Sequence, residues 1–106
     1  MNTSEIRENA RKQASFPVVE PAIVDYQIDH AEFWRVPNTG TMVCCIVLKS
    51  GYTVIDYASC KDPRNFDEKI AKKLSFSKAR DRIFGLEAYS QMRFPENYEA
   101  FLPNIT

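Results

Sequence analysis

Two turn signatures bracket a short apolar segment near the middle of the chain. In "PNTG" at 37–40, the proline fixes φ and the glycine accepts the left-handed region, and "KSGY" supplies a second turn at Ser50–Gly51. Residues 41–49 between them are almost continuously apolar, which is typical of a central strand. The short distance between the two turns favours strands that run antiparallel to their neighbours.

The segments on either side also favour strands. Residues 23–36 mix large apolar and charged side chains, and we predict one long strand there, either regular or bulged. Residues 52–59 alternate in part, with Tyr52 and Val54 on one face and Ile55 on the other. Three strands with short links predict an antiparallel meander.

The apolar period changes after residue 65. Phe66, Ile70 and Leu74 recur four residues apart, which predicts one face of a helix. After a slip of about half a turn, the apolar pattern continues through Phe76, Ala79, Ile83, Leu86 and Ser90. We predict one long helix from about residue 66 to about residue 92, which bends near residues 75–77 or contacts more than one surface. We interpret Gly85 as a site of close backbone approach, by the sheet or by a second subunit.

These elements predict an α+β fold, with a small antiparallel meander of about three strands packed against one long C-terminal helix and with a short N-terminal helix. The 106 residues suit one small domain. Its expected parts are an N-terminal helix and linker (1–22), the meander (23–60), the long helix (61–93) and a docked tail (94–106).

Charge and hydropathy exclude several classes of protein. The chain has 14 basic and 14 acidic residues, so net charge gives no general attraction to nucleic acid or membranes. Residues 61–93 nevertheless carry nine basic and five acidic residues, which makes them the best surface for an anionic partner, or simply a solvated helix face. The N-terminus is too polar for a secretory signal, and the longest apolar run is too short to span a bilayer.

The stretch "CKDPRNFDEKI", which starts at residue 60, joins the last strand to the helix. Asn65 can cap that helix with Glu68 as its capping-box partner, or Asp62 with Pro63 can start the helix earlier. Free N–H groups at a helix start attract anions, but two acids already occupy this one.

No catalytic constellation is visible in the sequence. His30 is the only histidine, and no acid or nucleophile stands at a recognisable spacing from it. The cysteines (Cys44, Cys45, Cys60) lack a CxxC spacing and an activating base, and three glycines cannot form a phosphate loop. We therefore expect a protein that is not an enzyme, with free thiols, no metal and no cofactor.

Aromatic and basic residues support a binding hypothesis. Aromatic rings stack on bases, while guanidinium and ammonium groups pair with phosphates. Asn65 would bind a ribose or a base edge. The candidate ligand-binding residues are Trp34, Arg35, Tyr52, Asn65, Phe66, Lys73 and Arg82. The alternative is that the aromatic residues form core and the cations form surface.

Residues 51–89 carry a family resemblance. A Gly-aromatic turn (Gly51, Tyr52), a strand end with serine and cysteine, "DPRNFD", a helix with "IAKK" and a "LEAY" close follow one another. This order resembles the gene forty-nine/gene sixty-six family of small tailed-phage proteins, and residues 33–51 extend the likeness. Ala71 and Ala88 stand where that family often has glycine, and Phe84 stands where it often has tryptophan.

The resemblance implies a phage product that acts in the cytoplasm of the bacterial host. The architecture is also similar to phage anti-Thoeris proteins of the first type, which sequester cyclic ADP-ribose signals as oligomers. This implies a homo-oligomeric sponge for a host immune nucleotide. Two alternatives remain: an adaptor that binds a host or phage protein without a small ligand, and DNA binding through the helix cations, against which the zero net charge argues.

Overall fold

The computed structural model describes residues 19–95. Its elements are helix α1 (Pro21–Gln27), strands β1 (Ile28–Arg35), β2 (Thr41–Leu48) and β3 (Thr53–Ser59), a one-turn 3-10 helix (Pro63–Asn65) and helix α2 (Glu68–Arg93). The strands form an antiparallel sheet in the order β1-β2-β3, which confirms the α+β meander with its long C-terminal helix. The predicted helix near the N-terminus and the predicted docking of the tail from residue 96 lie outside the described residues.

Strand β2 occupies the centre of the sheet and separates a covered face from an open one. Its even-numbered residues, Met42 to Leu48, are buried against the helices, whereas Val43, Cys45 and Val47 are half-buried on the other face. Alternate residues of a strand point to opposite faces, so the period of two gives this difference. Helix α2 packs across β2 and β3 on the covered face.

Helix α2 buries a stripe of mostly small residues. The buried positions recur every four residues: Ala71, Ser75, Ala79, Ile83 and Glu87. Small side chains let a helix axis approach a sheet closely, so the larger side chains beside the stripe flank the contact. The predicted face of Ile70 and Leu74 was wrong, because these side chains are 56% and 53% exposed. Ala79 and Ile83 are buried as predicted, but Leu86 is 45% exposed.

Residues 21–27 form a helix, so the prediction of strand from residue 23 was wrong for this segment. Pro21 stands at the first helical position, where its fixed φ suits a helix and its missing N–H costs nothing. The fully buried Val24 anchors the helix in the core, and Asp25 pairs with Arg80 of α2 at 2.7 Å. Strand β1 then begins with an irregularity between Ile28 and His30, which confirms the bulged alternative.

Gly85 does not mark a close approach of the sheet. A Cβ atom built at this position would meet no heavy atom within 4 Å. Gly40, in contrast, does mark a close approach. Because it has no side chain, Cys60 can pack against the turn after β1. No helix in the described part of the chain is long and apolar enough to cross a membrane.

Candidate functional site

The junction between β3 and α2 is built from two aspartate caps. The Asp62 carboxylate accepts from the Arg64 N–H at 2.9 Å and starts the 3-10 turn, with Pro63 at its first position. The Asp67 carboxylate accepts from the Ile70 N–H at 3.1 Å and caps α2. The predicted Asn65 cap was therefore wrong, and the Asp62–Pro63 cap holds for the short turn but not for α2.

Charge stabilises this corner locally. The Arg64 side chain hydrogen bonds to the Asp62 carboxylate at 2.6 Å and holds the pKa of that carboxyl below its usual range. One of the corner's cations is thus neutralised by its neighbour. Lys61 is exposed beside them.

A cleft of about 110 Å³ opens between this junction and the start of α2. Its walls are mostly apolar, with Phe66, Ile70 and Leu74 beside Cys60, and they also hold the Asn65 amide and the Asp67 carboxylate. A second, shallower depression of about 390 Å³ is lined by residues 60–63 and Asn65. Both depressions therefore share Cys60 and Asn65, and they form one continuous surface at this corner.

Arg35, from the end of β1, lies over the Phe66 ring. Its guanidinium carbon is 3.8 Å from the ring centre, and its Nε donates to the Thr39 carbonyl at 2.9 Å. The guanidinium plane is fixed in this way, but Arg35 remains exposed. The Asn65 side chain is also exposed, and its amide has no hydrogen-bond partner within residues 19–95.

The structure thus brings together three of the seven predicted site residues: Arg35, Asn65 and Phe66. Trp34 is not among them. It pairs with Val43 of β2, which in turn pairs with Tyr57 of β3, so all three side chains lie on the open face of the sheet. Trp34 is 60% exposed there.

Two other predicted residues, Tyr52 and Arg82, meet at the opposite end of the sheet. They line a separate cleft of about 290 Å³ with Ile55, Gly85 and other residues. The Arg82 Nη1 atom donates to the Ile55 carbonyl at 2.5 Å, so part of its hydrogen-bonding capacity is used by the strand. Lys73 is exposed on α2 and lines neither cleft.

Sequence reasoning missed the apolar walls of the corner cleft. The helical spacing of Ile70 and Leu74 predicts one face of a helix and gives no sign of a cleft wall, and nothing in the sequence marks Cys60 as part of such a wall. The useful signal was the small-residue stripe one position later, at Ala71 and Ser75, which turns Ile70 and Leu74 outward.

The reactive side chains Cys44, Cys60 and His30 do not converge on this cleft, because only Cys60 of the three lines it. Burial raises the pKa of the Cys44 thiol to about 11, and the Cys60 thiol donates to the Asp62 carbonyl at 3.2 Å. His30 lies 2.7 Å from the Asp29 carboxylate, whose hydrogen bond raises the pKa of the imidazole. Within residues 19–95, no cluster of three His, Cys, Asp or Glu side chains could hold a metal. The corner can therefore stack on and hydrogen-bond a planar polar ligand.

Comparison with known proteins agrees with the resemblance of the sequence. Neither curated proteins nor solved structures gave a significant match. A family model matches residues 6–93, which is most of the chain and includes the whole sheet, the junction and α2. The chain belongs to the Phage protein (N4 Gp49/phage Sf6 gene 66) family.

Proposed function

We propose that this phage protein binds and sequesters a host immune signalling nucleotide of the cyclic ADP-ribose type, in the host cytoplasm and without a chemical reaction. The observation that supports the proposal best is the Arg35 guanidinium stacked on Phe66 beside the exposed Asn65 amide. These groups supply a cation, a π-face and a hydrogen-bonding edge at one place.

Each group has a role in this proposal. The guanidinium of Arg35 offers further N–H donors to a phosphate, since among residues 19–95 it donates only through Nε, to the Thr39 carbonyl. A base stacks against the aromatic and apolar wall of Phe66 and Leu74, and the Asn65 amide reads its edge. Lys61 adds a second positive charge at the rim.

The size of the corner sets a condition on the ligand. Pockets for small molecules usually enclose about 300–1,000 Å³, more than the inner cleft provides. A dinucleotide-sized ring must therefore occupy the inner cleft with one base and the adjoining depression with its phosphates. The cleft of Tyr52 and Arg82 lies at the other end of β3 and would not contact the same ligand.

Calorimetry and thermal shift with cyclic ADP-ribose isomers and cyclic oligonucleotides test the proposal. We expect one of these ligands to bind and to be recovered chemically unchanged after the protein is denatured. Phe66→Leu should weaken that binding at least tenfold, whereas Lys73→Gln, an exposed cation outside both clefts, should not alter it. Binding of none of these nucleotides, or conversion of the bound one, would contradict the proposal.

The open face of the sheet favours a second candidate function, that of an adaptor for a host or phage protein. Trp34, Ile55 and Tyr57 are each more than half exposed on this face, next to half-buried Val43 and Cys45. Exposed aromatic and aliphatic side chains grouped in this way are typical of protein interfaces. If one host protein is captured from lysate and Tyr57→Lys abolishes its capture while nucleotides do not bind, the adaptor function is favoured.

A further inference from the structure

The two edges of the sheet differ in how their main-chain groups are covered. On β3, the amide of Cys60 donates to the Gly40 carbonyl, so the main-chain groups of Ile55 and Tyr57 point outward by alternation. Arg82 donates to the outward carbonyl of Ile55 at 2.5 Å, and Lys78 donates to that of Tyr57 at 3.0 Å.

The outward N–H of Tyr57 is also engaged, because the Asp56 carboxylate accepts from it at 2.8 Å. Two cations one helical turn apart on α2 thus meet carbonyls two residues apart on β3. Charged side chains over an edge prevent another strand from pairing there. Strand β3 is therefore a protected edge.

Strand β1 is the other edge of the sheet, and no residue between 19 and 95 protects it in this way. The Val36 N–H donates to the Thr41 carbonyl, so by alternation the main-chain groups of Ala31, Phe33 and Arg35 point away from β2. No hydrogen bond to these outward groups comes from any residue between 19 and 95. An edge strand with unpaired N–H and C=O groups is a template for another strand.

We propose that two copies of this chain associate through β1, antiparallel and about a two-fold axis, into one six-stranded sheet. The charges of β1 favour this direction. Asp29 lies near its start, Glu32 in its middle and Arg35 at its end, so antiparallel copies set Asp29 of one strand toward Arg35 of the other. A parallel pairing would align like charges.

The protected edge explains why the assembly stops at two copies. In the six-stranded sheet both outer strands are β3, and each carries its own Lys78 and Arg82 on the outward carbonyls. A two-fold contact is closed by symmetry, whereas an open edge would allow fibres. Trp34 follows Phe33, whose main-chain groups point outward, and its side chain is exposed on the open face. The Trp34 rings of the two copies therefore extend the contact across that face.

Sedimentation of the full chain and amide exchange test this proposal. We expect a dimer and slow exchange of the Ala31, Phe33 and Arg35 amides. Ala31→Pro removes only an outward N–H and should weaken dimerisation at least tenfold. Ile55→Pro removes an outward N–H from the protected edge and should leave dimerisation unchanged.

A charge swap keeps the proposal testable if a proline variant fails to fold. Arg35→Glu should weaken the dimer, and Asp29→Lys combined with Arg35→Glu should restore it, because opposite charges again face each other. A chain that is monomeric at millimolar concentration, with fast exchange at the three amides, overturns the proposal. So does a dimer that ignores the β1 variants and is broken by Tyr57→Lys on the open face. None of these outcomes depends on whether a nucleotide binds.

Discussion

The guanidinium of Arg35 and the ring of Phe66, 3.8 Å apart, join the end of β1 to the junction between β3 and α2. At an exposed site such a contact stabilises a fold by about 0.5–1 kcal/mol. A base stacked on an aromatic ring contributes about 1–3 kcal/mol to binding. The Phe66 ring can therefore contribute more free energy to ligand binding than to the stability of the fold.

Phe66→Leu separates these two contributions. Leucine keeps the apolar wall of the cleft but removes the π-face, so we expect a loss of about 1 kcal/mol in unfolding free energy. The affinity for the nucleotide should fall at least tenfold, which corresponds to about 1.4 kcal/mol. Urea unfolding and calorimetry measure the two effects. An unchanged affinity would place the ligand elsewhere.

Alanine at Asp67 and alanine at Asn65 should affect different properties, the first the stability of the fold and the second nucleotide binding. Because Asp67 caps α2 and Asn65 does not, Asp67→Ala should cost about 1 kcal/mol of stability. Asn65→Ala should stay within about 0.5 kcal/mol of the wild type, as expected at an exposed site, while weakening nucleotide binding. Thermal unfolding of both variants checks the prediction, and it fails if Asn65→Ala is the less stable one.

Gly40→Ala should destabilise the fold strongly. A Cβ atom at this position would lie 2.7 Å from the Cys60 carbonyl oxygen and would also collide with the Cys60 sulfur. The main-chain contact cannot relax by a rotamer change, and the Cys60 N–H also donates to the Gly40 carbonyl. We expect a loss of about 1–3 kcal/mol, typical of overpacking, measured by urea unfolding.

Gly85→Ala is the matched control, with the opposite sign. The position lies inside α2 and has open space where the methyl group would stand. Alanine should therefore stabilise the protein by about 0.5–1 kcal/mol, the usual cost of a glycine in a helix. A destabilised variant would show that something unseen in the monomer, such as a partner, approaches Gly85.

The fold could be predicted from the sequence further than the site could. Two turns and an apolar middle strand fix the meander, and the change of period fixes α2. Local patterns could not show that α2 contacts the sheet through Ala71 and Ser75, since small residues carry little hydropathy signal. The side chains of Ile70 and Leu74 point outward because of that packing. The cleft that they line could therefore not be predicted from local patterns either.

Helix α1 was missed because seven residues are too few to show a helical period. Its helical state depends on tertiary contacts of Val24 and Asp25 that no local pattern reveals. The predicted site residues lie apart in the structure for a related reason. Trp34 and Arg35 are neighbours in sequence, but alternation along a strand sends them to opposite faces of the sheet.

Removal of the two cations over β3 should expose that edge. Lys78→Ala with Arg82→Ala leaves the Tyr57 and Ile55 carbonyls without their side-chain donors. We expect association beyond a dimer, rising with concentration, as measured by light scattering. The variant with Lys69→Ala and Lys73→Ala removes the same charge from exposed positions of α2 and should not associate further. Equal association of both would mean that net charge alone matters.

The partly buried hydrogen bond between Gln27 and Glu87 should be the strongest tie between α1 and α2. The Gln27 Nε2 atom donates to the Glu87 carboxyl group at 2.9 Å, and Gln91 donates to its other oxygen at 3.3 Å. Glu87 is only 6% exposed, so a lost donor cannot readily be replaced by water. Gln27→Ala should cost about 1.5–3 kcal/mol, and Gln91→Ala, which removes the longer bond, should cost less.

A double-mutant cycle distinguishes the hydrogen bond from simple packing. Gln27→Leu alone leaves a buried carboxyl group short of a donor, whereas Gln27→Leu with Glu87→Leu removes both polar partners. Replacing both can be nearly neutral, so the double variant should unfold at a higher urea concentration than Gln27→Leu alone. If the losses of unfolding free energy for Gln27→Leu and Glu87→Leu, each measured alone, simply add in the double variant, the tie between the helices comes from Val24 and the apolar contacts around it.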